Sequence, residues 1–344
     1  MKKNKNVRNR NSLIRSIVII LVLAAGMLAA CGGNHQGGDN PPANDNRDEV
    51  VFALDWTPNT NHSGLFLAKD KGYYAAESME VDFQESDMNF IEMVANGTAA
   101  FGIAAQEQVL QARASDAKIP IVAIAAILQH NTSGFASPEA RGIRSPKDFE
   151  GKTYSGWGTE LELAIMKTLM QKEGADFSKV KIINQSASNF MASMETEADF
   201  AWIYYGWDGV SCETSGFGIN FILLQDIDER LDFYSPLIIT NEKTIEENPD
   251  LVRRFLRATA KGYTLAISDP EAAVESLMKV APELDRKLVA ESQKYLNQRY
   301  MSDAPRWGDM ESRVWEGFAA WMEEHGLLNH RIDPADAFDT SFLP

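Results

Sequence analysis

VVFALDWTPNTNHSGLFLAKDKGYY, residues 50–74, is the stretch on which the reading of this chain turns. It opens as a short apolar strand, Val50 to Leu54, and breaks at Trp56-Thr57-Pro58, where proline removes a ladder donor and fixes φ. A polar turn and an amphipathic helix from about Ser63 follow. Asp55, Trp56, Asn59, Asn61 and His62 are thus crowded into a loop at the carboxyl end of a strand, the position where open α/β sheets bind ligands. The bland alternative is a first strand and a capped helix, with Trp56 packed beneath the turn.

Working outward, the same rhythm repeats. Strands are expected at Met79–Phe83, Phe101–Ala104 and Ile119–Leu128, with helices at Phe90–Asn96 and Glu107–Ala114 between them. A second series begins near Gly151. Its strands are Lys152–Ser155, Val180–Asn184, Phe200–Tyr204 and Ile219–Leu224, and its helices Leu161–Glu173, Phe190–Glu195 and Gly206–Thr214. Short apolar strands alternating with helices imply parallel sheets. The expected architecture is α/β, two lobes with a ligand in the cleft between them. Phe233–Thr240 reads as a strand returning to the first lobe. Crossovers fall near Gln129–Phe135 and Phe233–Pro236, giving 50–132 with 236–344 as lobe I and 133–235 as lobe II. Helices at Pro249–Ser268, Pro270–Val280, Leu284–Gln298 and Met310–His325 are expected to pad the first lobe.

Before this lies a different kind of sequence. Residues 1–30 carry six cationic side chains and no acidic one, followed by an apolar run from Ser16 to Ala30, too short for a membrane span and read as a secretory signal. Removing them takes the net charge from −16 to −22, a value that disfavours nucleic acid as a partner. Leu28-Ala29-Ala30-Cys31 has the form of a lipobox, which would make Cys31 the lipidated N-terminus. The alternative is an ordinary signal cut near Ala30. Residues 31–49 are rich in Gly, Asn, Asp and Pro and read as a flexible tether. Cys212 is the chain's other cysteine, read as a small buried hydrophobe.

Four loops at strand carboxyl ends supply the site: Asp55–His62, Ala105–Gln108, Gly156–Glu160 and Tyr205–Asp208, with the crossover Gln129–Gly134 beside them. No Lys or Arg occurs from Val50 to Ala68, Phe101 to Ala112, Thr153 to Met166 or Ser186 to Asp228. An anion site would want guanidinium forks or a bare helix N-terminus. These loops offer acceptors, so the ligand should be neutral or cationic and rich in N–H donors. Among Trp56, Trp157, Trp202, Tyr204, Tyr205 and Trp207, we take Trp56 and Tyr205 as the stacking walls. Asp55, Asn61, Gln106, Glu160 and Asp208 are the groups that would read a ring edge, with His62 as a donor and Gly156 opening the backbone to a ligand carbonyl. An aminopyrimidine meets that demand, because an amide or carboxylate reads an amine beside a ring nitrogen as amides read adenine. Thr159 and Glu162 have capping-box spacing, and no Walker lysine follows Gly156-Trp157-Gly158. The histidines show no metal-ligand spacing, and no cofactor fingerprint is present.

Asp55-Trp56-x-Pro58-Asn59-x-Asn61-His62 resembles the opening motif of the NMT1/THI5-like family, and the resemblance runs to about Asp269. That family covers fungal enzymes making the thiamine pyrimidine and bacterial solute-binding proteins for its precursors. The resemblance implies a two-lobed periplasmic-binding-protein fold (type II) and a role in an ABC importer. The ligand implied is N-formyl-4-amino-5-aminomethyl-2-methylpyrimidine, handed to a permease with its ATPase, outside the cell membrane and anchored through Cys31. No cofactor is implied for such a protein. The fungal members carry a cysteine-rich iron motif, from which this chain departs. A sulfonate or nitrate carrier, or an enzyme using Asp55 or Glu160 with His62, are the alternatives.

Overall fold

The computed structural model describes residues 47–86, 89–184 and 189–344. The basic leader, Cys31 and nearly all of the expected tether lie outside the described residues. Ten strands form two five-stranded sheets. The first contains β1 (Asp48–Leu54), β2 (Met79–Glu85), β3 (Phe101–Ala104), β4 (Ile121–Ala126) and β10 (Leu237–Asn241), in the order β2-β1-β3-β10-β4. The second contains β5 (Ser133–Pro138), β6 (Thr153–Gly156), β7 (Lys181–Asn184), β8 (Phe200–Tyr204) and β9 (Ile219–Leu223), in the order β7-β6-β8-β5-β9.

Both sheets are mixed rather than parallel. β2, β1 and β3 run parallel, as do β7, β6 and β8. β10 is antiparallel to both β3 and β4, and β5 is antiparallel to both β8 and β9. Each of these strands is where the chain enters a sheet after crossing from the other, so it arrives from the opposite end. The start of β5 is marked in the sequence only as part of the crossover Gln129–Phe135. Its sequence, SGFASP, has little β-propensity, and its place is set by close packing. A Cβ on Gly134 would stand 2.2 Å from the Ile222 carbonyl oxygen, so glycine is what lets β9 approach.

The long helix Pro249–Ser268 starts with proline in its first turn, where the missing N–H costs nothing. It buries Val252, Phe255, Leu256 and Tyr263 on the first sheet, with the Phe255 ring stacked 4.0 Å from that of Phe101. The later helices do more than pad that sheet. The helix Arg286–Asn297 places Ser292 within 2.5 Å of Thr60 Oγ1 on one side, and its hydroxyl also donates to the Gly206 carbonyl on the other. The helix Ser312–Glu324 stacks Phe318 on Phe233 at 4.3 Å and pairs Glu324 with Arg230 at 2.8 Å. Two terminal helices therefore contact both halves.

The crossings are tied by a histidine. His130 Nδ1 lies 2.7 Å from Asp232 Oδ2, and Nε2 lies 3.0 Å from Asp303 Oδ1. The other Asp232 oxygen accepts the Asn131 N–H at 2.8 Å. These carboxylates, Asp232 first, hold the imidazolium and raise His130 to about 9, against an ordinary 6.5. A raised histidine pKa stabilises the fold fully below about 6.5, and that contribution is lost as pH rises through about 9. Urea unfolding midpoints should fall between pH 7 and 9.5 in the wild type, and His130→Asn should flatten that fall. A wild-type midpoint that is constant over this range would refute the assignment.

Candidate functional site

A cavity of about 350 Å³ opens between the two sheets. Its first-sheet wall includes Asp55, Trp56, Asn59, Asn61, Glu107 and Gln108, and its second-sheet wall Trp157, Tyr204, Trp207 and Asp208. Ser235 and Pro236, from the returning crossover, form part of the lining. Among the described residues three carboxylates and no lysine or arginine line it.

The loop after β1 is held by its own polar groups. Asn59 Oδ1 accepts the Asn61 N–H at 2.9 Å, and the Asn59 N–H donates to His62 Nδ1 at 3.3 Å. That bond leaves Nε2 to donate to Asp55 Oδ1, 2.9 Å away. His62 is fully buried, edge-on to Phe66, and reaches the cavity only through the carboxylate it orients. Asp55, Asn61 and the 45% exposed Trp56 do face the cavity. Across the mouth stands Trp157, 54% exposed.

The helix Gln106–Arg113 follows β3 and aims its first turn at the cleft. Gln106, at the first position, turns inward. It is fully buried, and its Oε1 accepts the Tyr234 N–H at 2.9 Å, so it ties β3 to the returning crossover. Successive helical residues sit about 100° apart, so the next two side chains, Glu107 and Gln108, line the cavity instead. Burial pushes the Glu107 carboxyl up to about 7. The sequence points to Gln106 at this turn, whereas the structure puts Glu107 and Gln108 on the lining, because nothing in Ala105-Gln106-Glu107-Gln108 states the helix phase.

A similar shift affects Tyr204 and Tyr205. The turn Tyr205–Gly209 is π-helical, and its extra residue rotates the side chains that follow β8. Tyr204, Trp207 and Asp208 face the cavity, whereas Tyr205 packs on Phe221 and Tyr295 and donates its hydroxyl to Glu213. Burial pushes Asp208 up to about 6, against backbone N–H groups of Tyr204 and its own residue. Trp202 is core, its ring 5.7 Å from that of Phe135.

Gly156 and Glu160 also lie outside the lining. A Cβ on Gly156 would stand 2.3 Å from Tyr154 Oη, so glycine makes room for that hydroxyl. Glu160 is an exposed first residue of the helix Glu160–Lys172. The buried acid of that turn is Glu162. It accepts the Tyr154 hydroxyl at 2.8 Å, the Trp157 N–H at 3.3 Å and the Thr159 N–H at 2.8 Å, while Thr159 Oγ1 accepts the Glu162 N–H. This capping box fixes the loop that carries Trp157. Among the described residues no cluster of His, Cys, Asp or Glu has metal-site geometry, and no helix is long and apolar enough to cross a membrane.

Two mixed α/β sheets facing a shared cleft define the class as a periplasmic-binding-protein fold of type II. The alkanesulfonate-binding protein SsuA of Xanthomonas axonopodis pv. citri superposes with a TM-score of 0.62 at 15% identity, covering 85% of this chain and 98% of that one. SsuA of Escherichia coli gives 0.64 at 14%, over 84% and 91%. The chain belongs to the NMT1/THI5-like family, whose model matches residues 59–273. It is 25% identical over 331 residues to the formylaminopyrimidine-binding protein of Halalkalibacterium halodurans, covering 94% of this chain and 98% of the relative. It is 26% identical over 320 residues to the riboflavin-binding protein RibY of Chloroflexus aurantiacus, 88% of each. At 24% over 302 residues it is similar to the 4-amino-5-hydroxymethyl-2-methylpyrimidine phosphate synthase of Legionella pneumophila, covering 87% and 93%.

Replacing Glu162 by Ala removes a cap and strands the buried Tyr154 hydroxyl. Chemical denaturation should register a loss of about 2 kcal/mol. A change within 0.5 kcal/mol, the usual range of neutral surface substitutions, would mean the capping box is not holding this loop.

Proposed function

We propose that this chain is the solute-binding component of an ABC importer and captures a pyrimidine precursor of thiamine, N-formyl-4-amino-5-aminomethyl-2-methylpyrimidine. The observation that carries the reading is the lining of the cleft: among the described residues, flat rings on both sides, three carboxylates, and no lysine or arginine. A sulfonate or nitrate would meet uncompensated negative charge there. A neutral heterocycle with N–H donors meets acceptors. The similarity to a formylaminopyrimidine-binding protein over nearly the whole chain supports the choice.

In this reading Trp56 is one stacking wall, and Tyr204 and Trp207 take the place first given to Tyr205. Asp55, Asn61 and Asp208 accept from or donate to the ring and its arms, while His62 holds Asp55 in place. Closure of the halves about the crossings 129–132 and 232–236 would trap the ligand and present a closed form to a permease and its ATPase. Catalysis is not part of the proposal. His62, the nearest base, is buried behind Asp55, and a chain with two cysteines in all cannot supply a cysteine-rich motif.

Isothermal titration with the formylated aminopyrimidine should give saturable binding at micromolar concentration or tighter. Trp56→Ala should lose roughly 1–3 kcal/mol of binding, about 5- to 150-fold in affinity, with its melting temperature unchanged. No binding at high micromolar ligand would sink the ligand assignment. Saturable binding of riboflavin in its place would redirect it to a flavin, the ligand named for the second bacterial relative.

Anchoring through Cys31 at the outer face of the membrane belongs to the same proposal. Bacteria expressing the full chain with labelled palmitate should yield a labelled protein, and Cys31→Ser should not be labelled. Equal labelling of both would rule the anchor out.

A further inference from the structure

Glu107 is the acid of the cleft with the least support. Its Oε2 is buried and has no hydrogen-bond partner, and what support the carboxyl has comes from its own backbone N–H. The other acids are served: Asp55 by His62, and Asp208 by two backbone N–H groups. The titratable groups facing Glu107 across the cavity are Asp55 from the end of β1, Tyr204 from β8 and Asp208 from the π-turn. None brings a positive charge. Behind the helix that carries Glu107 lies the helix Ser312–Glu324, whose Arg313 is engaged by Glu311. A buried carboxylate without a cation is costly, and it resolves that cost by holding a proton or by acquiring a partner. Glu107 lines the cavity, so the partner within its reach is the ligand.

We propose that Glu107 pairs with the amidine edge of the bound ring, a ring nitrogen beside an exocyclic amine, and that the complex holds one proton between the Glu107 carboxyl and that nitrogen. The inference rests on the aminopyrimidine reading and deepens it. Two parallel hydrogen bonds form, carboxyl O–H to ring nitrogen and amine N–H to the other carboxyl oxygen, and no covalent bond changes except the proton's own. An ionised carboxylate can accept from the amine but faces the lone pair of the ring nitrogen, so the shared proton is what makes the two-point contact attractive.

The source of that proton depends on pH. Burial raises free Glu107 to about 7. Below that value the carboxyl already carries the proton and capture releases or takes up little. Above it the proton comes from solvent, so capture consumes one. Asp208, raised to about 6, titrates at the lower end of the range, where accepting a second N–H from the ligand releases protons rather than consuming them.

The test is calorimetric titration of the full mature protein with N-formyl-4-amino-5-aminomethyl-2-methylpyrimidine at pH 6 and pH 8.5, each in two buffers of different ionisation enthalpy. The wild type should take up about one proton at pH 8.5 and show no net uptake at pH 6, with affinity falling about tenfold per pH unit above the Glu107 pKa. Glu107→Gln presents an amide N–H to the ring nitrogen and a carbonyl to the amine, the same two-point pattern by which glutamine reads adenine. This variant should bind within a few-fold of wild type at pH 6, take up no proton at pH 8.5 and lose no affinity between pH 7 and pH 8.5. Wild-type binding with no proton uptake at pH 8.5 overturns this inference and leaves the aminopyrimidine reading standing. So does a Glu107→Gln variant of unchanged melting temperature that keeps the uptake or no longer binds at pH 6. Absence of wild-type binding at both pH values overturns the parent reading and this one with it.

Discussion

The Asp232 carboxylate, shared between the His130 ring and the Asn131 N–H, sits where the two crossings of the chain meet. The molecule depends on that meeting. Each crossing delivers a strand into the interior of a sheet, β5 between β8 and β9 and β10 between β3 and β4, so β9 and β4 join their sheets only through it. A second bond of the same kind, from the Asn131 amide to the Leu231 carbonyl, and a third, from Gln225 to the Asn131 carbonyl, keep the crossings side by side. Because the strand that enters must run against its neighbours, the sheets become mixed. Their carboxyl ends are left facing a common cleft.

What fills that cleft follows from charge and shape. The lining combines rings with carboxylates, and among the described residues it includes no lysine or arginine. Burial then acts on the acids alone and raises Glu107 and Asp208. Such a surface disfavours anions. Rigid loops carry these groups. The Asn59–His62 turn and the Thr159–Glu162 capping box satisfy their own backbone groups, so Trp56 and Trp157 stand exposed at the mouth on backbone that is held in place.

Close backbone approach is a recurring device around this site. Gly134 admits β9, Gly156 admits the Tyr154 hydroxyl, and Gly64 lies against the Tyr263 ring, where a Cβ would stand 2.3 Å from the ring carbon. Tyr263 in turn donates its hydroxyl to the Asn61 carbonyl at 2.7 Å, so the long helix Pro249–Ser268 steadies the loop that follows β1. Packing far from the cleft thus sets the position of residues within it.

The sequence by itself determined the strand-loop-helix of residues 50–70, the alternation of strands and helices on both sides of residue 130, and the lack of cations in the loops. Each of these is a local property, written in apolar runs, proline and glycine positions and charge. Only the tertiary structure decided that SGFASP is a central strand, that Tyr204 rather than Tyr205 and Glu107 rather than Gln106 face the cavity, and that the last helices contact both halves. Helix phase after a π-turn, pairing of a weak strand and the contacts of the last helices all depend on neighbours distant in sequence. Their contact energies outweigh the small local preferences that a linear reading can weigh.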